Sequence, residues 1–211
     1  MSKTKFAFGG NKIDYKKELK NLYNPSAKEV SEVEVPAMNF LMIDGKGDPN
    51  TSEEFKEAIE ALYPLAYSIK FDIKKNQGKD FGVMPLEGLW WADDMNDFVT
   101  GDRDNWKWTL MIMQPESVTE ELFKKNINIV AEKKNPASLS KIRFEKYNEE
   151  KSVQIMHIGP FSEEGPNIQK MHDRIKELGG KLSGKHHEIY LSDMRKTAPA
   201  KLKTVLRQPY R

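Results

Sequence analysis

The stretch "HHEIYLSD" sets Glu188 two residues before Tyr190. On a β-strand that spacing puts a carboxylate and a phenol on one face. A glutamate among apolar and aromatic neighbours is suited to accept a proton, and burial would make it a stronger base while it stays ionised. A phenol beside it can donate to an oxygen that gains charge. A solvent-facing glutamate explains the same residue without chemistry. Trp90, Trp91, Trp106 and Trp108 lie within 19 residues of each other. Rings so clustered suit a flat aromatic ligand, whose stacking adds roughly 1 kcal/mol beyond area burial. Ordinary packing accounts for any one of them. Tyr63 and Tyr67, four apart, form either a cleft wall or boundary residues of a helix. Met156 and His157 in "IMHIGPF" are further wall candidates, His157 alternatively a satisfied polar residue at a strand end.

Other chemistries are poorly served. The chain has no cysteine, which removes disulfides, thiolate nucleophiles and thiolate-held metals. Adjacent histidines in "HHE" point to opposite faces of a strand, so no metal and no cofactor is expected. "GKGDPNTSEE" and "GGKLSGKHH" lack phosphate-loop spacing, and no Gly-x-Ser-x-Gly elbow occurs.

The elements that must position these residues follow from periodicity. "EVSEVEVPAMNFLMIDGKG" reads as a strand stopped by Gly45 and Gly47. Phe55, Ile59, Leu62, Ala66, Ile69 and Ile73 mark a helical face, capped by Thr51 or Ser52 and kinked at Pro64. "DFGVMPLEGLWWADD" and "WKWTLMIMQP" are two strands joined by the polar segment Asp93–Asn105. "TEELFKKNINIVAEKKN" is a second helix. "LSKIRFEKYNEEKSVQIMHIGP" reads as a hairpin turning at "NEEK". "GPNIQKMHDRIKELGGK" is a third helix ending at Gly179, and two strands close the chain.

Strand, helix, strand, strand is thus written twice, about Pro36–Pro115 and about Ile142–Pro209. "LMIDGKG" lies over "IMHIGPF", "GLWWAD" over "EIYLSD", and "TLMIMQP" over "KTVLRQP". The expected fold class is α+β: two such units about a pseudo-twofold axis share an antiparallel sheet, with helices on one face. Alternation groups Glu188, Tyr190 and Trp90, and sets Ile189 with Leu191. Aliphatic residues suit helices, so the first group is expected on the open face, with Gly88 making room opposite the carboxylate. Residues 1–28 read as a leader ahead of one domain, 29–211.

With 211 residues, 38% hydrophobic and 31% charged, the chain can bury a core. A net charge of +2 argues against nucleic acid, and the absence of an apolar run of about 18 residues against a membrane. "MSKTKFAFGGNK" has no hydrophobic signal core, so the expected location is the cytoplasm.

"EGLWW", "WTLMIMQP", "HEIYLSD" and "KLKTVLRQP", in this order, resemble the stand-alone branch of the GyrI-like small-molecule-binding family from about Val33 onward. The resemblance implies a ligand cleft between the two units. It implies a buried strand glutamate, here Glu188, that receives planar or cationic aromatic molecules. It further implies hydrolysis of cyclopropane-bearing genotoxins by water addition. No helix-turn-helix domain is visible, which departs from the family's regulators. The alternatives are a non-catalytic binder that sequesters drugs or engages a protein such as a topoisomerase, and a tetrapyrrole binder.

Overall fold

The computed structural model describes residues 12–93 and 103–211. The extreme N-terminal stretch and most of the Asp93–Asn105 segment lie outside the described residues. Eight strands form one antiparallel sheet: β1 (Ser31–Val35), β2 (Met38–Lys46), β3 (Leu86–Trp91), β4 (Lys107–Gln114), β5 (Arg143–Tyr147), β6 (Glu150–Ile158), β7 (His186–Tyr190) and β8 (Lys203–Pro209). Their order is β1-β6-β8-β7-β3-β4-β2-β5. Five helices accompany them among the described residues: α1 (Tyr15–Glu18), α2 (Lys20–Tyr23), α3 (Glu53–Gln77), α4 (Glu120–Lys133) and α5 (Gly165–Glu177).

The duplicated pattern is present. β2-α3-β3-β4 and β6-α5-β7-β8 have the same connectivity and meet where β3 pairs with β7. Gly88 pairs with Glu188 in that ladder. These positions also correspond in the repeat, so the pseudo-twofold axis passes beside them. Ser52 caps α3, its Oγ accepting from Phe55 N at 3.3 Å, and the helix runs on through Pro64. Its end at Gly78 has the left-handed backbone, φ 69°, that glycine adopts at least cost.

The expected hairpin at "NEEK" does not form. β5 pairs with β2, and β6 pairs with β8 and β1. The long N-terminal strand is likewise divided, as β1 and β2, at Pro36 and Ala37. The ladders β1–β6 and β2–β5 keep one register: Val35 faces Glu150, and Met38, three residues on, faces Tyr147, three residues back. Each unit lends its leading strand to the other, and the sheet curls to bring its edges together. Polar Asn148 and Glu149 read as a turn, but Glu149 is buried within the curl.

The helices lie on the face opposite to that expected. Cross-strand partners share a face, so Gly88, Trp90, Glu188, Tyr190, Leu110 and Thr204 stand together. On this outer face Phe55 of α3 stacks on Trp90, and Met171 and Ile175 of α5 bury Val153, Ile155 and Leu206. Ile189, with Leu89, Met111, Val205 and Met156, fills the inner face of the curl. Curvature changes what the inner face needs: it closes on itself and excludes water without a large helix over it.

The inner face also carries a buried polar network. His187 lies 3.0 Å from both oxygens of Glu149 through Nδ1 and 3.0 Å from Glu87 Oε2 through Nε2. Arg207 donates to Glu149 at 3.0 Å and to the Leu22 carbonyl at 2.7 Å, and the Tyr23 hydroxyl donates to Glu87 at 2.8 Å. Burial alone would disfavour the His187 imidazolium, but Glu149 and the hydrogen bonds to Glu149 and Glu87 lift its pKa to about 9. Burial alone would raise Glu149, yet His187 and Arg207 hold it down to about 2. Two carboxylates and two cations thus satisfy one another out of water, and they fasten α2 to the sheet.

Candidate functional site

Glu188 lies on the outer face between α3 and α5, its side chain 16% exposed. The Tyr190 hydroxyl donates to Glu188 Oε2 at 2.7 Å, and Trp90 Nε1 donates to the Tyr190 oxygen at 3.0 Å. This relay exists because β3 has glycine opposite Glu188. A Cβ on Gly88 would lie 2.8 Å from Trp90 Nε1 and 3.0 Å from the Tyr190 oxygen. Burial, then the Glu188 charge, push the Tyr190 phenol well above its ordinary range. Tyr190 therefore holds its proton at neutral pH and spends it on Glu188.

His186 Nε2 is 3.6 Å from Glu188 Oε1, an ionic distance too long for a hydrogen bond, and is buried without a hydrogen-bond partner among the described residues. Its neighbour His187 points inward, as strand alternation requires. Burial, and then His186, lower the pKa of His172 on α5.

Glu164, immediately before α5, is a second carboxyl group at the site. The residue is 5% exposed, and its Oε1 has no hydrogen-bond partner among the described residues. Burial and then the Glu188 charge push it up to about 9, against a smaller lowering by the Thr204 hydroxyl beside it. Thr204 Oγ1 is likewise without a well-formed hydrogen bond among those residues. Near neutrality Glu164 is therefore the protonated member of a carboxyl pair.

Aromatic rings enclose the group. Phe161 meets Tyr190 edge-on at 5.7 Å, Trp106 meets Trp90 edge-on at 5.9 Å, and Phe55 stacks on Trp90 at 6.0 Å. Tyr63 of α3 lies against the backbone of Leu86, the residue of β3 that pairs with Tyr190. Tyr67 is 46% exposed and continues the Tyr63 stripe along α3, away from Glu188, into a groove of about 770 Å³ between α3 and α4.

Not all the candidate residues converge. Trp108 is fully buried, with Phe55 edge-on at 5.2 Å, and its six-membered ring fills the space beside Gly45. Trp91 points to the opposite face from Trp90, with the Lys185 ammonium 3.3 Å from its ring centroid. Met156 lies on the inner face, paired with Val205. His157 is on the outer face, but its ring is tied to the Pro160 carbonyl and Asn167, each at 3.1 Å. Sequence reasoning missed Glu164, Phe161 and Phe55 as site residues. Phe55 already stood on the predicted helical face; Glu164, just ahead of the third helix, carries no pattern that marks it in the sequence.

A family model described as the GyrI-like small molecule binding domain matches residues 28–211. An uncharacterised conserved protein from Listeria innocua is 42% identical, with a TM-score of 0.88, covering 95% of this chain and 100% of its own. A Listeria innocua protein described as a hydrolase is 41% identical, with a TM-score of 0.83 and the same coverage. The EcmrR C-terminal domain, 14% identical with a TM-score of 0.54, covers 87% of this chain and 97% of its own and shares the fold. No curated protein matches the chain.

Proposed function

The chain belongs to the GyrI-like small-molecule-binding family, and from that premise we propose that Glu188 serves a cleft that binds flat aromatic molecules and adds water to a strained electrophilic ring. The observation that carries this reading is the relay Trp90–Tyr190–Glu188: an oriented carboxylate walled by aromatic rings. The hydrolase description of the Listeria relative supports the reaction class. The substrate class is a cyclopropane conjugated to a dienone, which needs no covalent catalyst.

Glu188 Oε2 is held by Tyr190, so Oε1 is the oxygen that orients a water and takes its proton. The water oxygen bonds to the ring carbon, the strained C–C bond breaks, and its electron pair moves through the dienone to the carbonyl oxygen. Once Glu188 is protonated, its hold on the Tyr190 hydroxyl weakens. Tyr190 can then donate to the oxygen that has gained charge, as an oxyanion-type stabiliser. Trp90, Tyr63 and Phe161 hold the planar body and keep bulk water away.

The same walls suit a module that only binds, which the family's description favours. The product separates the two. Incubating the protein with a cyclopropanoid alkylator should convert it to a species heavier by one water, faster than buffer does. A ligand recovered unchanged, despite saturable binding, leaves the binding module.

A further inference from the structure

Glu164 and Glu188 act on each other electrostatically, and among the described residues the one basic group that reaches either is His186, 3.6 Å from Glu188 Oε1. Among the described residues, no lysine or arginine pairs with either carboxyl group. Glu164 Oε1 is buried and unpartnered, a position that an isolated carboxylate cannot hold cheaply in a dry site. The Glu188 charge opposes ionisation of Glu164, and two carboxyl groups that interact in this way keep a proton between them. Around them stand aromatic faces, from Trp90, Tyr190 and Phe161, which attract cations through their ring quadrupoles.

We propose that Glu164 and Glu188 form a proton-exchanging pair, so that the cleft takes a flat aromatic monocation by releasing one proton from Glu164 as the cation enters. The inference rests on the reading that the Glu188 cleft binds small molecules. The charge balances. The empty cleft holds one carboxylic acid and one carboxylate; the filled cleft holds two carboxylates and one cation. Both carry one net negative charge, and the proton leaves to solvent. The ligand's charge thus replaces the proton's, whereas a neutral ligand of the same shape leaves the proton in place.

The sign of the pH dependence follows. Glu164 binds its proton up to about pH 9 in the empty cleft. Cation affinity therefore rises as pH increases towards that value and levels off above it. The other groups around the pair are His186 and Tyr190 of β7, Thr204 of β8, His157 of β6, Glu163 before α5 and His172 on α5. Tyr190 keeps its proton throughout this range. Any histidine contribution must be separated by mutation.

The test is calorimetry of the full chain with N-methylacridinium, a flat monocation, and acridine, its neutral analogue. Each is titrated at several pH values in two buffers of different ionisation enthalpy. The expected result is release of close to one proton per N-methylacridinium near neutrality, with affinity rising up to about tenfold per pH unit. Acridine should release none. Glu164→Gln should abolish both the release and the pH dependence, leaving N-methylacridinium at the parent's low-pH affinity. Proton release that persists in Glu164→Gln would assign the proton to a histidine and overturn the proposal. Cation binding without release in the parent would overturn it too, as would binding of acridine alone, with the small-molecule reading intact. Failure of both probes to bind would remove that reading itself.

Discussion

At the scale of single residues, the site depends on a missing side chain. Gly88 leaves the space in which Trp90 Nε1 reaches the Tyr190 oxygen. Gly88→Ala should therefore break the relay while the β3–β7 ladder stays paired. Ligand affinity should fall by about tenfold or more, at a stability cost of about 1–3 kcal/mol for overpacking. Titration by tryptophan fluorescence and a thermal melt measure the two effects; unchanged affinity would separate the relay from binding. Trp90→Ala should weaken a planar ligand by roughly 1–3 kcal/mol. Trp91→Ala should change that affinity little, because its ring lies on the other face beneath Lys185. Equal losses in both variants would contradict the face assignment. The grouping of Glu188, Tyr190 and Trp90 was legible from period-two alternation, and so was the need for Gly88. Glu164 was not. Its burial comes from α5 docking over β6 and β8, and nothing in "FSEEGPN" marks one glutamate of the pair as the buried one.

At the scale of elements, the inner network pins α2 to the sheet through Tyr23–Glu87 and Arg207–Leu22. Removing one charge leaves its partners buried and unpaired. Glu149→Gln should thus destabilise by about 3–5 kcal/mol in a denaturant melt. The pH dependence has a defined sign. His187 is raised to about 9, so its contribution is complete below its unfolded value and is lost as pH rises through 9. Glu149 is depressed to about 2, so its contribution is present above its unfolded value and is lost as pH falls through 2. Glu164, raised to about 9, also lowers stability as pH rises above its ordinary carboxyl range. Melting temperature should peak near the ordinary carboxyl value of about pH 4.5, fall at lower pH, fall gradually up to the unfolded His value of about 6.5, and fall more steeply above it. A peak near pH 9 would mean that the network does not carry these charges. Local pattern could not reveal this arrangement. "NEEK" has turn composition, and only the pairing of β5 with β2 and of β6 with β1 turns Glu149 inward.

At the scale of the whole molecule, duplication explains why the site lies where it does. β3 and β7 are equivalent strands that meet at the pseudo-twofold axis, and the two units differ at Gly88 and Glu188. One unit supplies the carboxylate and the other the room for the relay that steadies it. The repeat was legible because strand–helix–strand–strand recurs with matched ends such as "MQP" and "RQP". Which face the helices cover was not, because aliphatic Ile189 suits a helix or a closed curl equally well. The family assignment fits this architecture, and the proposed chemistry depends on Glu188 alone among the outer-face groups to take a proton from water. The most direct test compares the parent with Glu188→Gln in single-turnover water addition to a cyclopropanoid alkylator, with a thermal melt as the control for folding. The account predicts a folded variant that still binds the neutral substrate and hydrates it roughly two to four powers of ten more slowly. A folded variant that hydrates the substrate at the parent's rate would contradict it.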